Sequence, residues 1–202
     1  MTVEILFALV AFCFVGVITP GPNNLMLMAS GANFGFRRTV PHMFGVGLGM
    51  PILTTLVGIG VMRVFEAFPI VQTILTVLSV AYLLFLAWKI ANAAPPSRAE
   101  DAQTGKPLTF LQAAAFQWVN PKAWFMALSA ITLYAGGREP TAILWVAGVY
   151  CAVSTISTTS WTALGQQMRR LLSTPVRLRI FNWTMAVLLV GTLVPVLWPA
   201  SG

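Results

Sequence analysis

Ile18-Thr19-Pro20-Gly21-Pro22-Asn23-Asn24 is the stretch on which the fold of this chain turns. It lies inside an uncharged, mainly apolar run from about Ile5 to Ala32. Crossing a bilayer takes about 20 such residues, so the run is long enough to span. Pro20 and Pro22 have no amide hydrogen, and Gly21 between them is the most permissive residue, so no regular helix continues through the triplet. Lipid cannot satisfy the backbone groups that a break exposes. A break must therefore face protein or a wet cavity.

A second interruption is predicted in the run from about Leu108 to Ala135, at Trp118-Val119-Asn120-Pro121-Lys122-Ala123. Asn120 suits a helix N-cap and Pro121 the first helical position, so a new half-helix is expected to start there. Lys122 is the only formal charge inside a span. A charge at that depth is costly and in most cases functional. An offset of 101 residues carries Thr19-Pro20 onto Asn120-Pro121.

Four more stretches qualify as spans: about Val40 to Met62, Pro69 to Trp88, Thr141 to Gly165 and Ile180 to Trp198. The uncharged start, with Glu4 as its first charge and no basic leader, reads as a permanent first span rather than a signal peptide. With six spans, the offset pairs one with four, two with five and three with six. Three spans per half give the second half the opposite orientation. The expected fold is an all-α integral membrane protein with a three-plus-three inverted repeat and broken helices in spans one and four. Repeat one covers about residues 1–91, a polar cytoplasmic loop about 92–107, and repeat two about 108–202, all in one transmembrane domain.

Composition agrees. Of 202 residues, 57% are hydrophobic and 8% charged, with a mean hydropathy of +0.81. A soluble domain carries about 25% charged residues, so a soluble enzyme, a DNA-binding domain and a disordered regulator are all poor fits. The net charge of +7 forms no basic stripe, and no nucleic-acid partner is expected. Nine of the 12 basic residues fall after spans one, three and five: Arg37, Arg38, Lys89, Arg98, Lys106, Arg169, Arg170, Arg177 and Arg179. Only Arg63 and Arg138 fall on the other side, and Lys122 completes the count. The positive-inside rule then puts the nine in the cytoplasm and both termini outside. Cys13 and Cys151 sit in apolar runs without a CxxC or Cys/His cluster, so neither a disulfide framework nor a metal site is indicated, and no cofactor is expected.

Matched breaks in two halves point to a substrate site near the midplane. Half-helix N-termini favour an anionic group such as a carboxylate. The expected binding or gating residues are Thr19, Pro20, Gly21, Pro22, Asn23, Asn24, Asn120, Pro121 and Lys122. For Lys122 the plainer alternative is snorkelling or pairing with backbone carbonyls.

On these residues the sequence resembles the LysE/RhtB amino-acid exporters. Thr19-Pro20-Gly21-Pro22-Asn23 looks like one hallmark and Asn120-Pro121-Lys122 like the second. Gly45 to Gly49 and Ala81-Tyr82-Leu83-Leu84-Phe85-Leu86-Ala87-Trp88-Lys89 are similar to the family pattern too. That pattern often has glycine where Ala81 and Ala87 stand. The resemblance covers nearly the whole chain. It implies a bacterial inner-membrane exporter of amino acids or related small zwitterions, driven by the proton motive force through alternating access. It does not carry over a substrate.

No Asp or Glu lies deep in a span, so proton coupling would fall to Lys122, to His42 or to the substrate itself. His42, the only histidine, stands near the cytoplasmic start of span two, where an interfacial polar role is the plainer reading. Gly45 and Gly49 form a small-xxx-small pair for helix packing, within the chain or between subunits of a homo-oligomer. Span five carries Ser154, Thr155, Ser157, Thr158, Thr159, Ser160 and Thr162, which suit a polar path or bonds back to their own helix. The rival function is a cation or heavy-metal exporter of the same architecture. It would want thiolates, imidazoles or carboxylates in the spans. A membrane enzyme lacks a nucleophile–base pair. Partners are thus the bilayer and a small-molecule substrate.

Overall fold

The computed structural model of the chain describes residues 2–61, 63, 67–93, 106–136, 139–172 and 174–197. Its regular structure is helical throughout, with no strand among the described residues. The broken first run becomes α1 (Val3–Ile18) and α2 (Pro22–Phe34), which meet at 56°. Gly35, at φ 81°, ends α2 in a backbone conformation that favours glycine, and α3 (Phe36–Gly58) follows at once. Next come α4 (Ile70–Ala91), α5 (Phe110–Val119) and α6 (Pro121–Tyr134). The chain closes with α7 (Pro140–Leu171), α8 (Pro175–Gly191) and the single turn α9 (Val194–Leu197).

α3, α4 and α7 are each long and apolar enough to cross a membrane alone, and the bent α1–α2 pair makes a fourth candidate span. Most of the polar loop predicted at 92–107 lies outside the described residues.

Helix ends differ from the sequence reading. α3 starts four residues before Val40, α7 runs six residues past Gly165, and α8 begins five residues before Ile180. Arg37 and Arg38 therefore lie in α3, Arg169 and Arg170 in the last turn of α7, and Arg177 and Arg179 in α8, rather than in loops. Hydropathy marks where lipid ends. A helix goes on until its backbone meets a stop, and here the stops are Gly35 and the Thr174 cap, whose hydroxyl oxygen accepts from the Arg177 amide at 3.4 Å.

α7 is the centre of the packing and lies against α1, α2 and α3. α3 also packs on α5 and α6, and α4 pairs with α8. Small residues set two close crossings. A Cβ added at Gly31 would strike the backbone carbonyl of Thr162, and one at Gly165 that of Met28, so α2 and α7 touch backbone to backbone. On α3, a Cβ at Gly45 would meet the Phe110 carbonyl, and one at Gly49 would lie 2.7 Å from Gln117 Cγ. The Gly45–Gly49 face is thus packed on α5 within the chain.

Two apolar clusters result. One draws on α2, α4, α5 and α8, the other on α1, α6 and α7. α3 gives Val46 to the first and Met50 to the second. The boundary between the clusters therefore runs at the level of both breaks.

Candidate functional site

Each break leaves carbonyls at the end of one half-helix and amides at the start of the next. At the end of α1 the carbonyls are taken by the chain's own side chains. Val17 O accepts from Asn24 Nδ2 at 2.7 Å and from Ser157 Oγ at 2.8 Å. Ile18 O accepts from Trp161 Nε1 at 3.2 Å. Thr19 O accepts from Asn24 Nδ2 at 2.9 Å and from Lys122 Nζ at 2.6 Å, and Pro20 O lies 3.5 Å from the same Nζ. The ammonium of the second break thus sits on the carbonyl end of the first half-helix, where the helix dipole favours a cation.

The second break is closed in the same way. Trp118 O accepts from Trp124 Nε1 at 2.8 Å, and Val119 O accepts from Ser79 Oγ. The amide ends differ. At α6, the Asn120 side chain caps the Lys122 amide at 3.1 Å, with Pro121 in the first turn. At α2 the cap residue is Gly21, which has no side chain to offer, so the Asn23 and Asn24 amides keep no partner among the described residues. The two proline-led helix starts are Pro22 and Pro121. They lie 99 residues apart, two fewer than the offset that pairs Pro20 with Pro121.

Gly21 has a second role. A Cβ there would lie 2.7 Å from Lys122 Cδ and 3.0 Å from Nζ, so the glycine leaves the room that the lysine occupies. Its φ of −164° is ordinary extended backbone, and space rather than backbone conformation is what requires glycine here.

Between the breaks lies a cavity. Gly21, Pro22, Asn23, Asn24, Asn120 and Lys122 line it. Thr19, Pro20 and Pro121 are outside that lining. The first two are exposed at the α1 end, and Pro121 is half-buried. Ser154, Ser157 and Thr158 of α7 add hydroxyls, and Val46, Met50 and Met126 form the apolar wall. No carboxylate is among these residues. Of the span-five hydroxyls, Ser154, Ser157, Thr158 and Thr162 are buried, whereas Thr155, Thr159 and Ser160 face outward.

Gln117 is the residue the sequence reading missed. It is fully buried and exchanges two side-chain hydrogen bonds with Asn23: Asn23 Nδ2 donates to Gln117 Oε1 at 2.9 Å, and Gln117 Nε2 donates to Asn23 Oδ1 at 3.3 Å. This amide pair ties the start of α2 to the end of α5. The available signal was an amide in an apolar run, three residues before Asn120 and so on the same helix face.

His42 lies apart from this cavity. It is 1% exposed, and neither ring nitrogen has a hydrogen-bond partner among the described residues. It is buried rather than exposed: α3 begins before it and α2 packs against α3, with α4 across a neighbouring cavity. Among the described residues no three His, Cys, Asp or Glu side chains gather as a metal site.

Residues 14–196 match the LysE type translocator family. The chain belongs to the LysE type translocator family. It is therefore a multi-pass membrane transporter and not an enzyme. Its relatives include the cysteine/O-acetylserine efflux proteins of Escherichia coli strain K12 and Shigella sonnei strain Ss046. Each is 30% identical over 174 residues, which covers 85% of this chain and 87% of the relative. No solved structure matches this translocator.

Proposed function

We propose that this translocator exports a small neutral amino acid, of the cysteine or O-acetylserine kind, from the cytoplasm by alternating access. One observation carries the reading. The two breaks meet through Lys122 and Thr19 beside uncapped α2 amides, in a cavity lined by neutral polar groups. The amides and the ammonium favour a carboxylate. The hydroxyl oxygens of Ser154, Ser157 and Thr158 on α7 can accept from an α-ammonium group. With no carboxylate in the lining, a basic side chain would be left unpaired, and burying an unpaired charge is costly. A small uncharged side chain against Val46, Met50 and Met126 is the better fit.

Mechanistically, the substrate carboxylate competes with the Thr19 carbonyl for the Lys122 ammonium. Transfer of that ammonium loosens the α1–α6 contact and lets the two halves rock. The residues assigned to binding or gating are Thr19 to Asn24, Asn120, Pro121 and Lys122, with Gln117 positioning Asn23. Proton coupling falls to Lys122 or His42, since no span carboxylate is available.

A six-span, inverted-repeat architecture is part of the same proposal. α5 and α6 in series make a fifth span and α8 a sixth; its 17 residues run about 25 Å at 1.5 Å each. The packing is also exchanged between halves: α7 lies on the broken pair α1–α2, and α3 lies on the broken pair α5–α6. By the positive-inside rule the site opens from the cytoplasm, with both termini outside the inner membrane.

The test is export from cells. The chain and its Lys122→Ala variant are overexpressed, cells are loaded with peptides, and every amino acid in the medium is measured. Accumulation of cysteine or O-acetylserine with the wild type and not with the variant is expected. A flat amino-acid profile, with the protein shown to be in the membrane, rejects the reading and turns attention to resistance to metal salts.

A further inference from the structure

A second cavity lies between α2, α3 and α4, and the segment 106–108 also lines it. Ser30, Asn33 and His42 line its inside, and Lys89 and Lys106 stand in its lining with exposed side chains. It is stacked directly on the central one along the same two helices. On α2, Asn23 faces the central cavity and Met26 the second. On α3, Val46 faces the central cavity and His42 the second. Each step is about one helical turn, roughly 5.4 Å.

The polar groups of this second cavity are not all spoken for. The Thr39 hydroxyl donates to Gly35 O at 2.9 Å, so Ser30 uses its own hydrogen on Thr39, also at 2.9 Å. Asn33 Nδ2 donates to Ala29 O and to Asn182 Oδ1, both at 2.8 Å, and Asn33 Oδ1 accepts from Asn182 at 3.1 Å. Among the described residues, what remains unmet is His42, with both ring nitrogens buried and bare; the Lys89 and Lys106 side chains are exposed beside it. Buried polar groups are nearly always paired, so a bare imidazole beside a cavity marks a missing partner. Two ammoniums donate only, and a neutral imidazole offers one donor and one acceptor. The described acidic side chains, Glu4 and Glu139, belong to the starts of α1 and α7, and none lines this cavity.

We propose that this second cavity is an intake site, where His42, Lys89 and Lys106 hold the carboxylate of the outgoing substrate before it passes to the breaks. The inference rests on the exporter reading and adds a site to it. A basic vestibule concentrates anions and speeds their capture in a salt-dependent way. Met26 on the wall of the second cavity and Val46 on the wall of the central one are both apolar and buried. A lipid phosphate is the other anion that two lysines at a membrane edge could hold.

The experiment uses the full chain in inside-out vesicles of uncharged lipid and, separately, of lipid with added phosphatidylglycerol. Uptake of labelled O-acetylserine is measured for the wild type, for Lys89→Gln/Lys106→Gln and for His42→Gln. The lysine pair is exposed, so its removal leaves folding intact and keeps the test sound should the buried histidine variant fail to fold. The expected result in uncharged lipid is a KM raised about tenfold in the lysine variant, with kcat changed less than twofold and the salt dependence of KM flattened. An unchanged KM overturns the intake site and leaves the exporter reading standing. A KM effect that appears only with phosphatidylglycerol also overturns it, and assigns the lysines to a lipid headgroup. A wild type that takes up no labelled O-acetylserine in either vesicle overturns the proposed export reading itself, and the intake site with it.

Discussion

Lys122 Nζ lies 2.6 Å from the carbonyl oxygen of Thr19, so the start of α6 is bonded to the end of α1. This contact joins two residues 103 positions apart, one from each break. It gives a charge in the membrane a partner that needs no carboxylate, because the α1 C-terminus supplies aligned carbonyl dipoles.

Replacing Lys122 with alanine removes the cation and leaves the Thr19 carbonyl with Asn24 alone. A hydrogen bond from a charged donor contributes about 1.5–3 kcal/mol. Each 1.4 kcal/mol is a factor of ten in rate or affinity. Export should fall at least tenfold, and the melting midpoint in detergent should drop by several degrees at most, since Asn24 still holds Thr19 O. Lys122→Arg should recover part of the export. Full activity in Lys122→Ala, with equal protein in the membrane, would show that the lysine serves structure alone.

Gly21 tests the same contact from the other side. Alanine there is free of backbone strain, but its Cβ would sit 2.7 Å from Lys122 Cδ. The lysine is flexible and can move, so stability should change by less than about 1 kcal/mol, well within the range of tolerated substitutions. Displaced Lys122 loses Thr19, and export should fall several-fold. Gly21→Ser should be worse for export, because serine at the N-cap also fills the open α2 amides. Paired melting and export measurements check this. Equal loss of stability and export would point to misfolding instead.

The breaks were legible because proline and glycine act on the backbone locally, whatever surrounds them. The helical class was legible because lipid demands apolar runs of a fixed length. The lone charge at Lys122 stood out for the same reason. Helix ends were less legible, since α7 and α8 continue past the apolar edge until a cap stops them. The Asn23–Gln117 pair and the service of Ser157 and Trp161 to the α1 carbonyls are contacts between residues 94 to 143 positions apart, which spacing along one helix does not reveal. His42 misled for a related reason: its neighbours Arg37 and Arg38 suggested an interface, but it lies buried beside α2.

Gly31 and Gly165 should behave unlike Gly21. A Cβ at either one meets backbone of the opposite helix, and backbone cannot swing aside as a lysine can. Overpacking costs about 1–3 kcal/mol, more where no side chain can yield. Gly31→Ala and Gly165→Ala should each lower the melting midpoint and the amount of folded protein recovered, and the double variant should fail to accumulate. Gly148 and Gly191 have open space at the same position and make the controls: alanine at either should leave the midpoint within error.

The Asn23–Gln117 pair gives the most discriminating test, because its two members belong to different halves. Gln117→Leu strips Asn23 of both an acceptor and a donor in a half-buried place, and an unmatched polar group there costs about 1–3 kcal/mol. Asn23→Leu leaves the fully buried Gln117 with only its bond to Ala113 O at 2.9 Å. Each single variant should therefore melt several degrees lower. Replacing both partners removes both unmatched groups, so the double variant should be more stable than the sum of the singles predicts, by about 1 kcal/mol or more. Export should not recover with stability, because Asn23 lines the central cavity and its amide is lost in the double variant. Additive stabilities would show that the two amides do not bond. Restored export in the double variant would remove Asn23 from the binding site and leave it as a strut between α2 and α5.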